Sequence, residues 1–255
     1  MRKLCTTFIL LITLIFFPVV SLSHTFGEIL CKTNGFFCLR VTYRDSWKSL
    51  WPNNRERRII VRLNRMNVPI YSGQTIAVPN NIRPDETIMD FTPFPKQISP
   101  PGGKLLIFDP RLHAFGAYDS SGTLVRWGPA SGGSDWCSDL DEPCHTAKGV
   151  FHIYSWGDED CKSRKFPLPR GGAPMPYCMY FNEGQAFHGE PNGLPGYNAS
   201  HGCVRLYVSD AEWLRYSFVE LPNAGNRFQG TRVIVNPYAE SEYEEDRHYN
   251  LDQWD

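Results

Sequence analysis

Residues 187–206 read Phe187-His188-Gly189-Glu190-Pro191-Asn192-Gly193-Leu194-Pro195-Gly196-Tyr197-Asn198-Ala199-Ser200-His201-Gly202-Cys203-Val204-Arg205-Leu206. A cysteine thiol is largely protonated at neutral pH because its free pKa is about 8.5, and a nearby imidazole can take the proton and make the sulfur a nucleophile. His188 lies 15 residues before Cys203, across a loop of glycine, proline and asparagine that can fold back on itself. The stretch therefore predicts Cys203 as a nucleophile and His188 as its general base.

Gly202, directly before the cysteine, is expected to shape the site. Glycine adopts backbone conformations that other residues avoid, so N–H groups next to it can turn toward one point, as an oxyanion hole requires. Three interpretations without catalysis stay open. Cys203 can be an inert buried thiol beside two surface histidines, or one half of an intermolecular disulfide. His188, His201 and Cys203 can also bind zinc, although the sequence offers no obvious fourth ligand.

The N-terminus has the pattern of a secretory signal peptide. The basic pair Arg2-Lys3 precedes an apolar run over 8–20, and Ser21-Leu22-Ser23 offers small residues for cleavage before His24. The run has 13 residues, fewer than the roughly 20 that span a bilayer, which disfavours the alternative of an uncleaved anchor. We predict a signal peptide over 1–23, no stable membrane insertion after cleavage, and a location in the periplasm or cell envelope.

Export changes how the eight cysteines are interpreted. Cys5 leaves with the signal peptide, and the odd number that remains indicates one unpaired thiol in an oxidising compartment. The sequence does not fix the pairing of the others. We predict disulfides between nearest neighbours, which leaves Cys203 free: Cys31 with Cys38, Cys137 with Cys144, and Cys161 with Cys178.

The composition favours a β-rich protein without a nucleic-acid partner. The 26 Lys and Arg nearly balance the 27 Asp and Glu, whereas nucleic-acid binders usually carry a basic excess. With 21 Gly, 20 Pro and 14% aromatic residues, many turns and strands are expected rather than a helical bundle.

Strand patterns begin near residue 104. A turn is predicted at 119–122, and apolar or alternating runs predict strands over 105–108, 124–127, 150–154, 179–181, 186–188 and 232–235. A helix is predicted over 209–214 with Ser209 as its cap. Seven acidic residues beyond Pro237 indicate a solvated acidic tail over 237–255.

Residues 24–80 are predicted to form a small module. Its predicted elements are a strand over 38–42, helices over 47–50 and 57–66, and a strand over 75–78. This βααβ order, with Trp47-x-x-Leu50-Trp51 and Asn64-x-x-Asn67, resembles a LysM carbohydrate-binding module and so implies glycan strands as partners. The alternative is an α/β cap without glycan affinity. Residues 81–103 hold five prolines and are expected to be a linker or an extended packing segment.

The segment Ser200-His201-Gly202-Cys203-Val204-Arg205 resembles the catalytic motif of the L,D-transpeptidase (YkuD-type) family, in which an upstream His-Gly and a loop precede Ser/Thr-His-Gly-Cys. The likeness extends over 104–236 and includes three further segments: 129–133, 146–151 and 175–177. It implies a mainly β, YkuD-like catalytic domain, a β-sandwich or mixed sheet with one or two short helices, preceded by the α/β module.

The chain departs from the family pattern in four places. Ala147 stands where the family usually has proline, and only 11 residues separate His188 from Ser200. The stretches around Cys137–Cys144 and Cys161–Cys178 look like additions to the family's domain. These departures concern the substrate preference and the loop geometry, and the implied reaction type is unchanged by them.

The resemblance implies a cysteine acyl-enzyme mechanism. Cys203 would attack the carbonyl of the third residue of a peptidoglycan stem tetrapeptide and expel the terminal D-alanine, with His188 as base and then acid. Backbone N–H groups of Gly202 and Cys203 would hold the oxyanion. The other matching positions would shape the site or bind substrate: Ser200, Gly189, Tyr180, Arg205 as anion partner, and His201, which would orient the loop or exchange protons.

An amine of a neighbouring stem would then take the acyl group, which forms a 3→3 crosslink in cell-wall biogenesis and so maintains cell shape. The resemblance implies no cofactor and no metal. Two other functions stay open. With water as acceptor, the protein would be an L,D-carboxypeptidase or a crosslink hydrolase. It could also be a peptidoglycan-binding envelope protein without catalysis, in which Cys203 would not react with an acylating agent.

Overall fold

The computed structural model describes residues 24–239. The predicted signal peptide and the acidic tail from residue 240 onward lie outside the described residues. The first residues of the predicted tail pack on the catalytic region, because Tyr238 stacks on His145 at 3.9 Å and donates a hydrogen bond to Thr146 Oγ1 at 3.2 Å. Among the described residues, no helix has the length and apolar character needed to cross a bilayer.

The N-terminal region is a small α/β unit. Its elements are α1 (Phe26–Leu30), β1 (Phe36–Arg40), α2 (Trp47–Leu50), α3 (Asn54–Leu63) and β2 (Thr75–Pro79). β1 and β2 form an antiparallel pair, and the core beneath them is apolar: Val41, Trp51, Ile60, Met66, Ile76 and Val78. The predicted βααβ order is confirmed, with α1 as an unpredicted addition before it.

Polar caps fix where the two helices of this unit begin. Ser46 Oγ accepts a hydrogen bond from the Ser49 N–H at 3.1 Å, which caps α2. Asn53 Oδ1 accepts from the Arg55 N–H at 2.9 Å. Because Asn53 is the cap, α3 begins at Asn54, three residues before the predicted start.

The proline-rich segment 81–103 is an extended packing segment. It includes a 3₁₀ turn over Ile88–Phe91, and its Phe94 is buried. Trp127 Nε1 donates to the Ile88 carbonyl and the Tyr118 hydroxyl donates to the Pro95 carbonyl, both at 2.8 Å. The segment therefore covers part of the following sheet.

From residue 105 onward the chain forms a nine-stranded mixed sheet. In chain order its strands are β3 (Leu105–Asp109), β4 (Ala114–Tyr118), β5 (Leu124–Ser131), β6 (Gly149–His152), β7 (Ser155–Trp156), β8 (Met179–Asn182), β9 (Gln185–Gly189), β10 (Val204–Leu206) and β11 (Arg232–Val235). The order across the sheet is β6-β11-β3-β4-β5-β10-β9-β8-β7. The pairs β11–β3 and β10–β9 are parallel, and the remaining pairs are antiparallel.

The sheet curls, so strands from its two halves share one core. Leu106 of β3 and Val233 of β11 are buried with Met179 of β8, Phe187 of β9 and Val204 of β10. Helix α4 (Val208–Trp213) and a π-helical turn (Leu214–Phe218) close this inner core. The predicted mainly β fold with few short helices is confirmed.

The predicted cap of the last helix is wrong. Helix α4 begins at Val208, so Ser209 lies inside its first turn, and the capping position is Tyr207, which makes no side-chain cap hydrogen bond. The start is held by tertiary packing instead, because the Tyr207 hydroxyl donates to the Met66 carbonyl of the N-terminal unit at 3.0 Å.

Two parts of the outer face of the sheet are covered by different segments of the chain. Over β3–β5 lies segment 81–103, with Phe94 packed in a cluster with Tyr118 and Trp127. Over β8–β10 lies the loop that joins β7 to β8, whose Met175 and Cys178 pack in a cluster that includes Cys203. The second part is therefore the one that carries the candidate site.

The N-terminal unit packs directly on the region that contains the nine-stranded sheet. Asp210 of α4 is fully buried and accepts hydrogen bonds from Arg62 Nη1 of α3 and from Arg126 Nη2 of β5, both at 2.8 Å. Asn67 also holds the loop between His188 and Cys203, since its Oδ1 accepts from the Leu194 N–H at 2.6 Å. The unit therefore supports the loop that separates the predicted base from the predicted nucleophile.

Candidate active site

His188 and Cys203 come together on two neighbouring parallel strands. In the β9–β10 pair, Phe187 lies opposite Val204 and His188 lies opposite Arg205. Side chains alternate between the two faces of a sheet, and Phe187 and Val204 both point into the inner core. His188 and Arg205 therefore share the outer face with Cys203, which lies two residues before Arg205. The fold thus closes the 15-residue gap between the two residues in sequence.

His188 is held in one orientation and in its neutral form. Its Nδ1–H donates a hydrogen bond to the Gly189 carbonyl at 2.8 Å, which leaves the lone pair on Nε2. Burial lowers the pKa of His188 to about 4, the hydrogen bond to Gly189 opposes that shift, and the nearby Arg205 charge adds to it. A neutral imidazole with a free Nε2 lone pair is the form that a general base requires.

Cys203 is a half-buried thiol, free of disulfides. Burial raises its pKa, while a backbone hydrogen bond from Ala186 and the charge of Arg205 oppose that rise. Its Sγ lies 3.9 Å from the Gly184 carbonyl oxygen. Burial therefore favours the uncharged form of both groups, the thiol of Cys203 and the imidazole of His188.

We therefore expect the reaction of Cys203 with iodoacetamide to increase with pH up to and beyond about 8.5, the ordinary thiol pKa. A raised pKa leaves less thiolate at every pH below it. Rates measured by intact-protein mass spectrometry between about pH 5 and about pH 10, with the modified peptide identified, test this. A plateau of high reactivity below about pH 6 would show a thiolate–imidazolium pair and contradict the prediction.

Ser200 and Gly202 form a closed turn before Cys203. The Ser200 hydroxyl donates to the Cys203 carbonyl at 2.5 Å and accepts from the Gly202 N–H at 3.0 Å. Gly202 has φ of 109°, a conformation that favours glycine. In this structure the Gly202 N–H is directed to Ser200, and its place in an oxyanion hole stays a prediction. The role of the Cys203 N–H stays a prediction.

His201 is turned toward other partners than Cys203. Its Nε2 lies 2.9 Å from Asp139 Oδ1, and its ring stacks on Phe166 at 4.3 Å. This geometry suits an orienting role better than proton exchange. It also means that His188, His201 and Cys203 do not converge as zinc ligands. Among the described residues, the group close enough to share a metal ion is Cys137, Asp139 and His201, and the sulfur of Cys137 is in a disulfide.

The other predicted site residues lie around this pair. Gly189 supplies the carbonyl that orients His188. Tyr180 of β8 lies opposite Ala186 of β9 and packs in the cluster with Cys203. Its hydroxyl lies 3.8 Å from Cys161 Sγ. Arg205 is partly engaged, since its Nε lies 3.4 Å from Glu190 Oε2.

Three residues near the site are not among the predicted ones. Glu190 pairs with Arg205, Asp139 pairs with His201, and Gln185 Oε1 accepts from the Ala147 N–H at 3.1 Å. Glu190 follows His188-Gly189 directly, so its place in the sequence could have marked it as a site residue. Nothing local in the sequence marks Asp139 or Gln185, because both act through contacts with distant segments.

The three predicted disulfides are present. The Cα–Cα distances are 5.6 Å for Cys31–Cys38, 5.9 Å for Cys137–Cys144 and 6.2 Å for Cys161–Cys178. Among the described cysteines, Cys203 is the free one. The second and third disulfides close the two segments that touch His201.

Comparison with known proteins identifies the family. The family model described as YkuD, L,D-transpeptidase catalytic domain, matches residues 104–235, just over half of the chain. The chain therefore belongs to the L,D-transpeptidase catalytic domain family and is an enzyme of that family. No curated protein sequence matches this chain.

Several solved structures are similar to the chain. An L,D-transpeptidase (residues 123–326) from Xylanimonas cellulosilytica is 25% identical with a TM-score of 0.43, over 56% of this chain and 65% of that one. One from Mycobacterium smegmatis is 24% identical with a TM-score of 0.39, over 52% and 58%. L,D-transpeptidase 3 from Mycobacterium tuberculosis, in complex with a faropenem-derived adduct, is 21% identical with a TM-score of 0.41, over 53% and 60%. The chain thus spans less than two thirds of the length of each.

Proposed function

We propose that this enzyme is a peptidoglycan L,D-transpeptidase that forms 3→3 crosslinks through an acyl-enzyme on Cys203. The observation that carries the proposal is the shared outer face of β9 and β10, where His188 with a free Nε2 lies on the same side as the free thiol of Cys203. Membership of the family gives the substrate class, stem peptides of peptidoglycan.

In the first half-reaction, His188 Nε2 takes the thiol proton as Cys203 Sγ adds to the carbonyl of the third stem residue. The tetrahedral intermediate collapses when the amide C–N bond breaks, and the imidazolium returns its proton to the amine of the departing D-alanine. A thioester between Cys203 and the shortened stem is left. The neutral imidazole has its Nε2 lone pair free at the start, and an imidazolium of low pKa gives its proton up readily to the departing amine.

In the second half-reaction, an amine of another stem loses a proton to His188 and attacks the thioester carbon. The C–S bond breaks, a new amide forms, and the proton returns to the sulfur. If water attacks instead, the product is the free tripeptide stem and the enzyme is an L,D-carboxypeptidase. The two acceptors therefore share the acyl-enzyme and differ only in the product.

We further propose that residues 1–23 direct export to the periplasm or cell envelope and that residues 24–80, which resemble LysM, retain the enzyme on glycan strands. The apolar run before Ser21-Leu22-Ser23 supports the first point and the βααβ order supports the second. Protein made in cells and fractionated would test export, with an N-terminus at His24 expected in the mature chain. Cosedimentation of that chain with insoluble peptidoglycan tests retention.

The test of activity is product analysis after incubation with a disaccharide tetrapeptide. The wild type is expected to release D-alanine and yield a dimer whose crosslink joins the third residues of two stems, and the Cys203→Ala variant neither. Tripeptide without dimer would replace the transpeptidase with a carboxypeptidase. Unchanged substrate from folded enzyme with reduced Cys203 would overturn both and favour a binding protein.

A further inference from the structure

Two disulfide-closed segments of opposite charge flank the strand that follows Cys203. The acidic insert, residues 134–144, contains four carboxylates and no Lys or Arg. The basic insert, residues 161–178, contains four Lys and Arg and no carboxylate. The formal net charge of the whole chain is only −1, so this separation of charge is a local feature.

The strand order places the inserts on opposite sides of β10. The acidic insert follows β5, which pairs with one edge of β10, and the basic insert leads into β8, which lies beyond β9 at the other edge. The Ser134 N–H donates to the Ser200 carbonyl at 2.9 Å, which attaches the acidic insert just before Cys203. Met175 and Cys178 attach the basic insert to the cluster that includes Cys203.

The charged side chains of the inserts are available to a ligand. The four cations of the basic insert are exposed, and within residues 24–239 none forms an ion pair: Lys162, Arg164, Lys165 and Arg170. In the acidic insert, Asp135 and Asp139 pair with His145 and His201. Asp141 and Glu142 are exposed and form no ion pair within the described range.

Three carboxylates, at 158–160, immediately precede the basic insert, and one of them is already paired with a cation outside the insert. Asp158 binds Arg215 at 2.8 Å. Arg164, in contrast, acts on Tyr180 beside Cys203, where it opposes the rise in the pKa of Tyr180 that burial and Cys203 cause.

We propose that the basic insert binds the carboxylates of the acyl donor and the acidic insert binds the ammonium group of the acyl acceptor, so that Cys203 lies between two subsites of opposite charge. This rests on the proposed function. Next to the reacting bond, the donor presents the C-terminal carboxylate of the D-alanine that leaves, and the acceptor presents its amine, an ammonium ion in neutral solution. Clefts lined by one sign of charge concentrate ligands of the opposite sign.

The connection through His201 keeps the two subsites in register. Its Nε2 contacts Asp139 of the acidic insert, and its ring stacks on Phe166 of the basic insert. Lys165 Nζ lies 5.0 Å from the centroid of the same Phe166 ring. A movement of either insert therefore acts on the turn that ends in Cys203. The acidic and basic inserts, which depart from the family pattern, would therefore serve to select the substrates.

The polarity can be measured on Cys203 itself without any turnover. Iodoacetate and iodoacetamide have nearly the same shape and differ by one negative charge. We expect the ratio of the iodoacetate rate to the iodoacetamide rate at Cys203 to fall about 5- to 10-fold in Arg164→Gln/Lys165→Gln, because the attraction for the anion is lost. At about 1 M salt, the ratios of the variant and the wild type should become similar, because salt screens the charges. The matched control Arg44→Gln/Lys48→Gln, exposed on the N-terminal unit, should leave the ratio unchanged.

The acidic insert is tested with probes of the other sign. Aminoethyl methanethiosulfonate is a cation, and methyl methanethiosulfonate is neutral. The ratio of the rate of the cationic reagent to that of the neutral one should fall by a similar factor, about 5- to 10-fold, in Asp141→Asn/Glu142→Gln. Asn suits residue 141, whose φ is 55°. Ratios that stay at the wild-type value in both double variants would overturn the polarity of the site.

Assays with the tetrapeptide then assign the subsites. The basic-insert variant should raise the KM for the donor about 5- to 10-fold, and the acidic-insert variant should shift products from dimer to tripeptide. Suppose that the variants change the probe ratios while the wild type does not turn over the tetrapeptide. The charge separation around Cys203 would then stand, but the donor and acceptor assignment would fall together with the proposed function. Turnover with unchanged probe ratios would overturn the two subsites and leave the transpeptidase intact.

Discussion

Replacing His188 with glutamine is expected to lower the rate of Cys203 acylation by the stem tetrapeptide about 10²- to 10⁴-fold, the usual contribution of a general base. Glutamine has no basic nitrogen, so the thiol proton must pass to water. In the wild type the low pKa of His188, about 4, keeps the imidazole neutral through the neutral range, so its Nε2 lone pair is free. Single-turnover release of D-alanine by both forms measures the difference.

Two further measurements separate loss of the base from loss of the fold. Alkylation of Cys203 by iodoacetamide at about pH 9 should stay within roughly threefold of wild type in His188→Gln, because a thiolate already formed needs no base. His152→Gln, the same substitution on edge strand β6, is the matched control and should release D-alanine at the wild-type rate. Equal acylation rates in His188→Gln and wild type would contradict the role of His188.

Replacing Asp210 with alanine is expected to lower the free energy of unfolding by about 3–5 kcal/mol, the usual cost of removing one partner from a buried ion pair. The Asp210 carboxylate is fully buried between Arg62, whose side chain is 15% exposed, and Arg126, whose side chain is 28% exposed. Without the carboxylate, two partly buried guanidinium groups lose their counter-charge. The ion pair between Arg62 of the N-terminal unit and Asp210 of α4 is lost at the same time.

Urea unfolding followed by fluorescence measures this loss, and two variants calibrate it. Asp210→Asn keeps the shape and one acceptor oxygen, so its loss should be smaller. Asp85→Ala breaks the exposed pair with Arg83, whose closest atoms are 3.7 Å apart, and should leave the midpoint unchanged because exposed ion pairs contribute little. A midpoint for Asp210→Ala equal to that of Asp85→Ala would contradict the buried character of this cluster.

Local patterns in the sequence predict much of the fold. Apolar runs locate β3, β5, β9 and β11, and the proximity of cysteines predicts the three disulfides. β4 and β10 are not among the predicted strands. The first, Ala114–Tyr118, is buried throughout and so lacks an alternating pattern, and the second has only three residues and lies within the cysteine motif. Both are strands because of their neighbours and not because of their own sequence.

The site is predictable where its chemistry is local and less so where it depends on tertiary contacts. His188 and Cys203 are singled out by residue type and spacing, and the sequence motif places Ser200 and Gly202 beside them. The engagement of the Gly202 N–H by Ser200 is not visible in the sequence. Nor is the contact of Asn67 with Leu194, which joins residues far apart in the chain. Such contacts arise only once the N-terminal unit packs on the loop.

The central claim is that acyl transfer passes through a thioester on Cys203, and the most direct test is to trap it. Enzyme mixed with disaccharide tetrapeptide, quenched rapidly in acid and digested, is analysed by peptide mass spectrometry beside Cys203→Ala. We predict an adduct with the mass of the disaccharide tripeptide acyl group on the peptide that contains Cys203, present in wild type and absent in the variant. D-alanine release that persists in Cys203→Ala, or an adduct on another residue, would contradict the claim.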